Sequence, residues 1–137
     1  MTTSETYDYL RQVRMVTFTI KRLEMQRESL LTCLLPKAIT YDGDRVQTSP
    51  EDKMTAVMVK VESLSRRICA LYERKADLVL EISEAIDKLG DGYDAIVLDS
   101  YYIGEMPMEK IADMIGYGIR RTYQFREAGV RKLGGIL

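Results

Sequence analysis

A chain of 137 residues has the size of one domain, which leaves room for one core and a small appended module and excludes two large domains. With 46% hydrophobic and 30% charged residues and a net charge of −1, the composition excludes wholesale disorder and a surface that binds nucleic acid everywhere. The charge is uneven, however. Between Ile119 and Leu133 five cations (Arg120, Arg121, Arg126, Arg131 and Lys132) stand with one anion, Glu127, so an acidic body carries a basic tip.

The first predicted element is a long helix. Its apolar positions Tyr9, Val13, Val16, Ile20, Leu23, Leu30 and Leu34 follow steps of four and three residues, with Arg27 as a charged interruption. Pro36 ends the pattern, and the stretch to Pro50 reads as a loop in which Asp42-Gly43 favours a turn. A second helix starts at a capping Ser49, with Pro50 at its first position and Glu51 and Asp52 at the positive end of its dipole. Its seam runs through Met54, Val57, Val61, Leu64, Ile68, Leu71, Leu78, Ile82, Ala85 and Leu89, interrupted by Lys75.

A helix of that length, roughly 60 Å, needs a partner, and the first helix packed antiparallel supplies one as a coiled-coil hairpin. Arg27 and Lys75 are candidates for setting its register. Cys33 and Cys69 lie within the apolar patterns and read as core thiols. In such a hairpin Cys69 falls opposite about residue 19, too far from Cys33 for a disulfide. Leu31, Leu35, Val59, Val79 and Leu80 lie off the main stripe. A second copy of the chain, as a dimer, is the expected cover, the alternative being the C-terminal module folding back.

Gly90-Asp91-Gly92 breaks the second helix and marks the boundary between residues 1–90, the hairpin and oligomerisation part, and residues 91–137. Three shorter helices follow. The first, Asp94 to about Tyr102, presents Ile96, Val97, Tyr101 and Tyr102; the second, Pro107 to Ile115, presents Met108, Ile111, Ala112 and Ile115. The third starts at Ile119, with Thr122, Phe125, Gly129 and Leu133 inward. The stretch Ile111 to Gly118 has the grammar of a helix-turn-helix: Ala112 is small where helices approach, Gly116 allows the left-handed backbone that ends a helix, and Gly118 suits the next cap. The fold expected is therefore all-α, a long helical hairpin followed by a three-helix helix-turn-helix module whose last helix fits the major groove of DNA. Tyr117 is expected to pack within the turn.

Four stretches carry a family resemblance: Ser49-Pro50-Glu51-Asp52-Lys53-Met54, Tyr101-Tyr102-Ile103-Gly104, Ile111-Ala112 through Gly116-Tyr117, and Arg120-Arg121-Thr122-Tyr123. On these the C-terminal part resembles the promoter-reading domain of bacterial sigma factors. Nearly the whole chain is similar to the sigma-like late-gene transcriptional regulators of Gram-positive phages and prophages, the ArpU/RinA type. The resemblance implies recruitment of RNA polymerase to phage promoters in the cytoplasm of the bacterial host. Carried over by position, it assigns Arg120, Arg121 and Gln124 to base edges or phosphates with Tyr123 beside them, and Lys110 and Arg126 to backbone phosphates. Two departures stand out. Gly118 replaces a common Ser cap, and Gly129 replaces an Ala, which predicts a less rigid last helix.

Other chemistry is poorly provided for. The chain has no histidine, so Ser-His-Asp and Cys-His catalysis and a Cys-His zinc site are excluded, and no enzyme activity, metal or cofactor is expected. Glu81, Glu84 and Asp87 have helical spacing but read as an exposed face. Gly116 and Gly118 lack the strand and third glycine of a dinucleotide loop. No uncharged stretch approaches membrane-spanning length, and a cytosolic protein is expected. Two alternatives to a regulator stay open: a phage DNA-packaging protein of the small-terminase kind, and a helical protein-interaction module that binds no DNA.

Overall fold

The computed structural model describes residues 1–34 and 50–137. The expected loop, its Asp42-Gly43 turn, Leu35 and the Ser49 cap lie outside the described residues. Every described element is a helix: α1 (Thr3–Cys33), α2 (Pro50–Asp87), α3 (Tyr93–Leu98), a π-helical turn (Asp99–Ile103), α4 (Met108–Ile115) and α5 (Ile119–Ile136). None of them is long and apolar enough to cross a membrane. The described chain forms two compact units, one of Met1–Thr17 with Arg74–Leu137, the other within Phe18–Glu73.

In the second unit the buried positions all lie on the predicted seams. Ile20 and Leu23 of α1 and Val61, Leu64 and Ile68 of α2 are buried. Arg27 interrupts the seam to donate from Nη1 to Ser65 Oγ at 3.3 Å, and the Tyr72 hydroxyl donates to Glu24 Oε1 at 2.7 Å. These two pairs run in the antiparallel sense and put Cys69 opposite about residue 25, not residue 19.

The cysteines depart from expectation. Cys33 and Cys69 are free and exposed. Each is one residue from a seam position, and a step of ~100° per residue turns it out of the interface. Met54, although on the seam, is exposed, as are Phe18, Met25, Met58 and Val59.

The first unit has a larger core. Leu10 and Val13 of α1, Leu78, Ile82, Ala85 and Ile86 of α2, Ala95, Leu98 and Tyr102 of the α3 region, and Val130 and Leu133 of α5 form one buried cluster. Thr6, Leu10, Val13 and Thr17 are all buried, a second stripe on α1 beside the predicted one. The α1 start is fixed by a reciprocal cap: Glu5 N–H donates to Thr2 Oγ1 at 3.2 Å and Thr2 N–H donates to Glu5 Oε2 at 3.0 Å. Val79, expected to need a second copy, packs against this core instead, while Leu80 stays exposed.

Gly90, at φ +88°, ends the α2 region as predicted. The helix starting at Tyr93 widens into the π turn, where Gly104 N–H donates to Asp99 O, five residues back, at 2.8 Å. Gly104 has ordinary backbone angles, but a Cβ there would lie 2.9 Å from the Ser100 carbonyl, so the tight turn admits only glycine without a shift. Ile96, expected inside, is exposed, whereas Asp94, Ala95 and Leu98 are buried.

Candidate nucleic-acid interface

The surface of interest is built by α4, α5 and the three residues between them. A small core of Val97, Met108 and Ile111, with Tyr101, Met106, Ile115 and Phe125 against it, fixes α4 on α3 and α5. Gly116 ends α4 in the left-handed conformation at φ +77°, and its N–H and that of Tyr117 both reach the Ala112 carbonyl. Gly118 caps α5 with extended backbone and no side-chain cap. Thr122, one turn into α5, donates from its hydroxyl to the Gly118 carbonyl at 3.0 Å. Both turn glycines thus occupy the conformations their sequence positions predict.

Tyr117 packs in the turn. Its ring meets those of Tyr93 and Phe125, each with centroids 5.2 Å away, and Tyr93 meets Phe125 at 5.4 Å. Gly129 is buried where α5 crosses α3: a Cβ would lie 3.0 Å from Leu98 Cδ1 and 3.3 Å from the Asp94 carbonyl. Gly129 therefore allows a close helix approach.

The assigned residues separate into two groups. Lys110 on α4 and Arg120, Arg121 and Gln124 on the first turns of α5 are exposed. Arg121 donates from Nη1 to Gln124 Oε1 at 3.0 Å and stacks on Phe125 at 4.7 Å from the ring centre. Tyr123, exposed beside Arg120 at i,i+3 spacing, and Arg126 lie along the adjoining flank of α5. Arg126 is half-buried with its guanidinium 4.9 Å from the Tyr123 ring centre and 5.0 Å from that of Tyr101, and its Nε is buried with no hydrogen-bond partner. Arg131, not assigned from sequence, is exposed on the ridge that Arg120, Gln124 and Glu127 define at helical spacing. That spacing was the available signal.

Lys132 has a different task. Its Nζ donates to Asp94 Oδ2 at 2.7 Å, while Asp94 Oδ1 accepts from the Ala95 N–H at 2.8 Å. Burial pushes the Asp94 carboxyl up, but the Lys132 ammonium and the Ala95 N–H together outweigh it and hold it below the ordinary carboxylate value. The sign follows from linkage: the pair stabilises the fold above the unfolded-state value, about 3.9, and the contribution is lost as pH falls through the lowered folded value. Asp99 works in the opposite sense, since burial and then Asp87 raise it. Thermal unfolding of the wild type and of Asp94→Asn should therefore differ at pH 7 and converge as pH drops below about 4. A gap that stays constant across that range would count against the pair.

Among the described residues no group of Cys, Asp and Glu is arranged to hold a metal ion. No family model, curated protein or solved structure matches the chain.

Proposed function

We propose that the chain is a sequence-specific DNA-binding transcriptional regulator in which α4 and α5 act as a helix-turn-helix and α5 reads the major groove. The observation that carries this reading is the left-handed Gly116 and extended Gly118 leading into a helix whose first turns expose Arg120, Arg121 and Gln124. A guanidinium can bond guanine edges or phosphates, and an amide can bond adenine. On this reading Lys110 contacts backbone phosphate, and α1 and α2 form a hairpin that carries the module.

One such helix makes few contacts, so tight binding needs help from a second copy or from RNA polymerase bound at the same promoter, in the manner of a sigma factor. The exposed Phe18, Met25, Met58 and Val59 support a homodimer through the second unit.

Titration with duplex DNA across a salt series tests the proposal. Gln124→Ala should relax base preference at one position and cost ~1–3 kcal/mol, while Lys110→Ala should weaken all sequences alike and lower the salt slope by about one unit. Absence of salt-dependent binding at low ionic strength would leave a protein-interaction module as the better reading.

A further inference from the structure

The flank of α5 that carries Tyr123 and Arg126 is tied to a residue more than a hundred positions earlier. Arg14 of α1 donates from Nε to the Tyr101 carbonyl at 3.1 Å and from Nη2 to the Met106 carbonyl at 3.3 Å. Its guanidinium also lies 3.9 Å from the Tyr101 ring centre. Arg126 contacts the same ring and reaches on to Tyr123. The Arg126 Nε is buried without a hydrogen-bond partner, and its guanidinium faces both rings. The same corner is braced from α2, where Lys75 Nζ meets Glu105 Oε2 at 3.6 Å, and Glu105 holds a left-handed φ of +55°.

We infer that Arg14 is a positioning residue for the DNA-reading helix, acting through the series Arg14, Tyr101, Arg126 and Tyr123. The inference rests on the reading of α5 as the helix that enters the groove. Arg14 fixes two carbonyls of the corner before α4 and presses on the Tyr101 ring, and Arg126 carries that placement to Tyr123 at the edge of the proposed DNA-facing surface. A lysine keeps the charge and much of the stem, but a point ammonium cannot hold two carbonyls in a planar fork while stacking on a ring.

Arg14→Lys and Tyr101→Leu are the informative variants, each compared with wild type well below its own unfolding temperature. Two readouts are needed: ring resonances of Tyr123 by NMR, and the affinity for a duplex selected by the wild type from a randomised pool relative to mixed-sequence duplex. Both variants should shift the Tyr123 resonances and lower the affinity ratio by about five- to tenfold, with the salt slope within about half a unit of wild type. A merely structural role would lower the unfolding temperature and leave Tyr123 and the ratio unchanged, which would overturn the inference. If the wild type binds no duplex, the DNA reading fails, and an unmoved Tyr123 would then separately refute the coupling.

Discussion

Ile111→Ala is expected to cost ~2–5 kcal/mol, because its fully buried side chain fills the small core that fixes α4 and the truncation leaves a cavity. Against the ~5–15 kcal/mol that holds a typical domain together, that is a large fraction. The neighbours offer little repair. Val97 is itself wholly buried, Met108 nearly so, and Phe125 is engaged with Tyr93 and Tyr117. Urea unfolding should show a lower midpoint with an unchanged slope, since the surface exposed on unfolding is nearly the same. A stability within a few tenths of a kcal/mol of wild type would mean that the cluster is not a packed core.

The largest effect on binding should come from Arg120→Glu combined with Arg121→Glu. Both side chains are exposed, so the fold should survive, although the stack of Arg121 on Phe125 and its hydrogen bond to Gln124 are lost. On the proposed DNA-binding reading, two cationic contacts become two repulsions at the leading edge of α5. Affinity for duplex DNA should fall by roughly a hundredfold or more, and the salt slope by about two units. Fluorescence anisotropy at several salt concentrations measures both. Wild-type affinity in the double variant would remove α5 from the interface.

The periodicity of the two long helices was the most legible feature. Val13, Ile20, Leu23, Val61, Leu64, Ile68, Leu78 and Ile82 were all readable as interior because a single stripe repeats over many turns. Thr6 and Leu10 were not, because their partners come from parts of the chain far away in sequence, as where a Cβ on Gly134 would meet Thr6 Oγ1 at 2.8 Å. The Thr2-x-x-Glu5 cap is a local signal, a capping box whose residue types and spacing stand in the sequence. The register between α1 and α2 was out of reach, since no local pattern fixes how far one helix slides along another.

Within the candidate interface, the turn was legible at Gly116 and Gly118, where backbone conformation follows from residue type. The exposure of Arg120, Arg121 and Gln124 followed from helical phase. Arg126 did not yield to the same reading. Its position on α5 is intermediate between the inner and outer faces, and only the arrival of Tyr101 from another element turns it into a stacked, half-buried guanidinium. The salt bridge of Lys132 to buried Asp94 was equally hidden, because its partners are 38 residues apart.

The widened turn at Asp99–Ile103 has a consequence for chain length. Each residue of ordinary helix advances the azimuth by ~100°, so the residue count through this segment fixes the angular phase of Tyr101 and Tyr102 relative to the first turns of α3. Insertions and deletions here are therefore rotations in disguise. A protein built this way can trade exposed side chains on this segment far more freely than it can change the spacing that turns Tyr102 into the core.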